Sequence, residues 1–263
     1  MSALRLGAVS YLNTKPLVFG LDARPDRFDV RFDVPSQCAA LLHEGRVDLG
    51  LIPAIEYLRG DYAIVPDIGI VSDGPVASVA IFSRVPIDKI KTLALDPSSR
   101  TSVALTKILC AYRWNIAPEF AAAEADLGAM LAGADAALVI GDPAFEIDPE
   151  AIGVIKTDLG AEWQALTGLP FVYAMWTGRP GAASAVQVRG LQDARDAGLA
   201  HLESIAKAES AGDPTREARN LVYLRDNLRY GLGQREAAGL RRFHELAVEI
   251  GVMPSTRPLS FYA

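Results

Sequence analysis

The chain has 263 residues, half of them hydrophobic, with 26 Lys plus Arg against 32 Asp plus Glu, a formal net charge of -6 and a pI near 5.2. That length supports one large domain or two lobes with cores of their own. An acidic chain without a basic tract is a poor partner for nucleic acid or a membrane surface, and no apolar run reaches the roughly 18 residues of a membrane span, so a small-molecule partner is expected.

The N-terminal stretch lacks the basic region, long apolar core and small-residue cleavage site of a secretory signal, which predicts a cytoplasmic protein. A strand is expected at Arg5 to Val9, then the loop "SYLNTKP" (10–16), with a helix starting near Pro16 and a second strand at Asp29 to Val34. Ser36 is the expected N-cap of the helix "QCAALLHE", which Gly45 ends, and "RVDLGLIP" reads as a buried strand. The same order recurs. The strand "TLALD" (92–96) enters the loop Ser98-Ser99-Arg100-Thr101-Ser102, a helix runs to about Arg113, and the helix "AAEADLGAMLAG" precedes the strand "ADAALVIGDP". "EGRVDLGLIP" (44–53) and "AGADAALVIGDP" (132–143) share one pattern of helix end, Asp, apolar strand and polar or Pro turn. An α/β unit written twice implies parallel sheets, with ligands bound where loops leave the carboxyl ends of the strands. Crossings between the units are expected at 83–91 and 175–182, and the remainder reads as amphipathic helices over the first lobe, with Tyr223, Leu224, Leu228 and Tyr230 in the core.

The hydroxyl cluster at 98–102 sits at a helix start, where backbone N–H groups are unpaired and the helix dipole favours an anion. Arg100 there reads equally as a carboxylate clamp or a solvent-facing side chain. In the matching first loop Ser10 and Thr14 offer hydroxyls and Asn13 both a donor and an acceptor. Ser78 is a hydroxyl in an apolar strand, Gly141 permits close backbone approach, and Asp142 can accept a hydrogen bond or close an Asp-Pro turn. Cys38 and Cys110 lie in helical patterns without metal spacing and are expected to be buried and reduced. His43, His201 and His244 are read as helix-surface residues. Neither a Ser-His-Asp triad nor a zinc site can be built from this chain, and no metal or cofactor is expected.

Together "VSYLNTKPL", "GRVDLGLIPAIEYL", "SDGPVASVAIFS", "LALDPSSRTSVAL" and "ALVIGDPAF", with the C-terminal "YLRDNLRYGLGQREAAGLRRFHELAVEIG", resemble the chorismate dehydratase family of the futalosine route to menaquinone. The resemblance implies an α/β, two-lobed, periplasmic-binding-protein-like (type II) fold with a central cleft and C-terminal helices, lobe 1 being 1–84 with 178–263 and lobe 2 being 85–177. It implies a hydro-lyase taking chorismate to 3-[(1-carboxyvinyl)oxy]benzoate without a cofactor, with central roles for Asn13 and Ser78. Ser10, Ser98, Ser99, Arg100, Thr101, Ser102, Gly141 and Asp142 are the expected substrate-binding set. Two rivals stand beside it. One is the sister enzyme acting on cyclic dehypoxanthine futalosine, whose catalytic His falls where this chain has Gly141. The other is a non-catalytic binding module.

Overall fold

The computed structural model describes residues 3–124 and 126–263. The chain begins with β1 (Leu4–Val9), a 3-10 segment at Leu12–Val18, β2 (Phe28–Asp33), α1 (Pro35–His43), β3 (Leu49–Pro53) and a second 3-10 segment at Ala54–Arg59. Then come β4 (Ala63–Ile64), β5 (Ile70–Ser72), β6 (Val79–Ser83), β7 (Thr92–Leu95), α2 (Arg100–Tyr112), β8 (Glu119–Ala122), α3 (Leu127–Gly133), β9 (Ala136–Ile140) and α4 (Gly141–Glu146). The remainder is β10 (Ile155–Asp158), α5 (Leu159–Thr167), β11 (Phe171–Gly178), α6 (Ala185–Leu199), α7 (Leu202–Ala208), α8 (Pro214–Val222), a π-helical turn at Tyr223–Asn227, and α9 (Gln234–Glu249).

Two sheets result. The first has the order β2-β1-β3-β11-β4, with β5 also against β11; the second has the order β10-β6-β9-β7-β8. The repeated pattern has a direct structural counterpart. β3 lies parallel to β1 and antiparallel to β11, and β9 lies parallel to β7 and antiparallel to β6. The sheets are therefore mixed rather than parallel throughout. β3 is buried along its whole length and β9 over its first four residues, which explains why both read as unbroken apolar runs with no alternation.

The sheets depart from the expected lobe boundaries at both crossings. Residues 79–83, expected in lobe 1, pair with β9 and β10 in the second sheet, and 171–178, nearly all expected in lobe 2, form the antiparallel centre of the first. The chain crosses between β5 and β6 and returns between β10 and β11, before each of the charged, Pro-containing stretches that looked like linkers. The first of those stretches starts on the last residue of β6 and continues as the turn beyond it, and the second is the end of β11 with the turn that follows.

Local differences have local causes. The first loop closes into a 3-10 segment beginning at Leu12, with Pro16 inside it. It packs under α6, and a Cβ on Gly198 would come 2.1 Å from the Pro16 carbonyl oxygen. α1 starts at Pro35, whose missing N–H suits a first helical position; Val34 is the cap residue and Ser36 is not. α9 packs on β11 and buries His244, which stacks on Tyr57 and donates from Nε2 to the Ala54 carbonyl at 3.0 Å. Burial pushes that imidazole down to about 4, so it is a neutral core residue rather than a helix-surface one. Cys38 and Cys110 are free and buried, and burial lifts both thiols to about 12. Among the described residues no helix is long and apolar enough to cross a membrane.

Candidate active site

Because β1, β3, β7 and β9 run in corresponding directions, the turns that follow them meet. Their residues line a cleft between the sheets: Tyr11 and Asn13 after β1, Pro53 at the end of β3, Ser99, Thr101 and Ser102 after β7, Gly141 after β9. Val76, Ser78 and Val79 enter from the crossing strand, and Tyr173 and Ala174 from β11.

The start of α2 does not behave as an ordinary capped helix. Ser99 occupies the N-cap position, yet its side chain makes no capping bond, and its hydroxyl is buried with no hydrogen-bond partner among the described residues. A buried hydroxyl without a partner is costly, on the order of 1–3 kcal/mol, unless something else satisfies it. It faces the cleft beside the first-turn N–H groups of a 13-residue helix. Thr101 accepts at Oγ1 from the Ile55 N–H at 3.2 Å, which anchors that turn to the opposite sheet. A second anchor lies alongside. Arg100 reaches out of the cleft to Glu56 at 2.8 Å, and the fully buried Glu56 carboxylate also meets Arg59 at 2.9 Å and His43 at 2.8 Å. Arg100 is thus a tie between the sheets, placed away from the cleft lining. Ser98 is spent on an Asx turn, its N–H and hydroxyl both donating to Asp96, and exposed Ser10 contributes only its backbone, to the Asp33 carbonyl. Neither lines the cleft.

On the opposite wall Gly141 has φ +68°, and a Cβ there would lie 2.8 Å from the Tyr11 ring. Its N–H donates to the Ser78 carbonyl at 2.7 Å. Asp142 points back to the first loop, its two oxygens accepting from the Leu12 N–H at 3.2 and 3.3 Å. Burial, helped by Glu146 and Glu209, holds the Asp142 carboxyl above the usual carboxylate range against that N–H. It clasps two loops together and does not line the cleft.

Ser78 is held more elaborately. Ala77 before it has φ +66°, a left-handed conformation unusual for a residue with a Cβ. The Asp158 carboxylate imposes it, accepting from Val76 N at 3.1 Å and Ala77 N at 2.6 Å while capping α5 through Gly160 N and Ala161 N. Ser78 Oγ accepts the Tyr223 phenol proton at 2.7 Å. Tyr223, expected only as core, thus reaches Ser78 from a position 145 residues beyond it. Asp158 was equally invisible as a site residue. Its only sequence signal was the capping position before α5.

Two mixed α/β sheets with the ligand cleft at the carboxyl ends of their parallel strands define a two-lobed binding-protein fold of the type II periplasmic kind. Solved structures agree. A protein from Archaeoglobus fulgidus matches at a TM-score of 0.77 with 18% identity, covering 95% of this chain and 98% of its own. The alkanesulfonate-binding protein SsuA from Xanthomonas axonopodis pv. citri, bound to MOPS, matches at 0.68 with 15% identity over 97% and 95% of the chains. These likenesses establish the fold alone. The family comes from the sequence: the model of the menaquinone-biosynthesis family matches residues 4–249, and the chain belongs to that family. A chorismate dehydratase of Thermus thermophilus is 31% identical over 258 residues, 91% of this chain and 93% of its own length, and one from Campylobacter jejuni is 30% identical over 180 residues, 65% of this chain and 66% of its own.

Proposed function

We propose that the protein is a hydro-lyase that removes water from chorismate to give 3-[(1-carboxyvinyl)oxy]benzoate. The observation that carries the reading is the buried, unpartnered Ser99 hydroxyl at the uncapped start of α2, across a mostly apolar cleft from Asn13 and Ser78. A dicarboxylate such as chorismate supplies the missing acceptor. Loss of the ring C3 proton leaves an anion conjugated through the C1–C2 double bond into the ring carboxylate. Donors fixed around that carboxylate, the Ser99 and Ser102 hydroxyls and the first-turn N–H groups, stabilise charge as it develops. The C4 hydroxyl then departs as water and the ring becomes aromatic, which drives the reaction.

Among the described residues no Asp, Glu, His or Lys lines the cleft, and the substrate's own enolpyruvyl carboxylate takes the C3 proton in this reading. Asn13 and Ser78 orient that group and assist the leaving hydroxyl. Positioning of this kind contributes on the order of 7 kcal/mol in favourable cases, so a site without a base is energetically sufficient. Gly141 also favours this reading over the sister reaction, because a His in its place would need a positive φ and would drive its Cβ into Tyr11. The test is to incubate the purified protein with chorismate, without metal or cofactor, and follow products by chromatography and mass. Loss of one water to the meta-substituted benzoate is expected. Intact chorismate with a raised melting temperature would make the protein a binding module instead.

A further inference from the structure

The C-terminal helices approach the cleft at the π-helical turn Tyr223–Asn227, which meets Ser78 of the cleft wall. A π turn widens a helix by one residue, and such turns recur at functional sites. Here the turn carries Tyr223 inward, 1% exposed, its ring 4.5 Å from that of Phe145 on α4. From there its phenol proton goes to Ser78 Oγ at 2.7 Å.

We propose that Tyr223 is a positioning residue for the dehydration, fixing the direction of the Ser78 hydroxyl so that its proton points into the cleft. A serine hydroxyl has one proton and two lone pairs. With one lone pair occupied by the Tyr223 proton, the Ser78 O–H is held away from the phenol and presented to whatever lies in the cleft. Burial pushes the Tyr223 phenol well above its ordinary range, so the phenol keeps its proton to donate. A backbone carbonyl could not do this. It would accept the Ser78 proton and turn the donor away from the substrate.

This proposal rests on the dehydratase reading, and the experiment separates the two. Tyr223→Phe keeps the ring on Phe145 and deletes only the hydroxyl. With chorismate as substrate, kcat is expected to fall about ten- to hundredfold while KM moves by less than about threefold, the signature of one directed hydrogen bond lost from the transition state. In a Ser78→Ala background, the same Tyr223→Phe change should have no further effect on kcat, since there is no longer a hydroxyl to direct. A purely structural role would instead lower the melting temperature and reduce turnover by the same factor in both backgrounds. Tyr223→Phe with turnover within twofold of wild type, or an equal loss on Ser78→Ala, overturns the positioning role and leaves the dehydratase reading intact. A wild type that leaves chorismate unchanged overturns both.

Discussion

Removing the Asp158 carboxylate should unfix Ser78 without touching the cleft. Asp158 lies at the end of β10, where the chain leaves the second sheet, and its two oxygens accept four backbone N–H groups. Two of those bonds cap α5, and loss of a cap costs about 1 kcal/mol. The other two hold Val76 and Ala77, and hydrogen bonds to a charged acceptor are worth about 1.5–3 kcal/mol each. Part of their strength is taken up in keeping Ala77 left-handed, a conformation that costs roughly 1–2 kcal/mol for a residue with a Cβ. Asp158→Ala is therefore expected to destabilise the fold by about 3–5 kcal/mol and to let Ala77 relax to negative φ, swinging Ser78 away from Tyr223. Urea denaturation at neutral pH measures the first effect, and steady-state turnover under conditions where the variant is fully folded measures the second. Asp158→Asn keeps one side-chain oxygen and should fall between wild type and Asp158→Ala in both. Asp158→Ala less than about 1 kcal/mol below wild type with unchanged kcat would refute the argument that these four bonds shape the site.

Ser99→Ala and Arg100→Ala should part company: the first removes an unpartnered buried hydroxyl, leaving stability unchanged or up to about 1 kcal/mol higher while KM for chorismate rises, and the second loosens a tie to Glu56, lowering the melting temperature with a smaller change in KM. Glu56→Ala strips a fully buried carboxylate from two arginines and an imidazole and is expected to destabilise by about 3–5 kcal/mol in urea denaturation. Gly141→Ala combines positive φ with a 2.8 Å approach to Tyr11 and should cost about 1–2 kcal/mol and weaken substrate affinity as Tyr11 is displaced, read by thermal melting and KM. His244 has its folded pKa depressed to about 4 by burial, so between pH 6.5 and 4 the unfolded chain binds a proton that the folded chain does not; stability present above pH 6.5 is lost on acidification, by about 3 kcal/mol in all, and urea midpoints across that range should flatten in His244→Phe.

What the amino-acid order reveals and what it hides follow from the range of the interactions. β1, β3, β7 and β9 were legible because burial on a central strand selects apolar residues at successive positions, a signal contained within five or six residues. The duplicated pattern then placed the cleft, since strands of like direction must present their carboxyl ends together. The lobe boundaries were misread for a related reason. β6 and β11 are as apolar as their neighbours, and nothing local says which sheet a strand joins; pairing decides that, and turn residues mark only where a strand ends. Within the hydroxyl loop, composition could not separate Ser98 from Ser99, because the difference is the Asp96 carboxylate taking one hydroxyl and nothing among the described residues taking the other. Arg100 had two readings on a helix of unknown phase, and the choice was made by Glu56, buried on the other sheet 44 residues earlier. Tyr223 is the extreme case. At helical spacing among Leu224 and Leu228 it satisfies every rule for a core tyrosine, and it is one, since its ring is buried like theirs. What makes it more is a single hydroxyl whose partner lies 145 residues away, a relation that hydrophobic periodicity has no means to encode because periodicity reports which face is buried and not what a polar atom meets there.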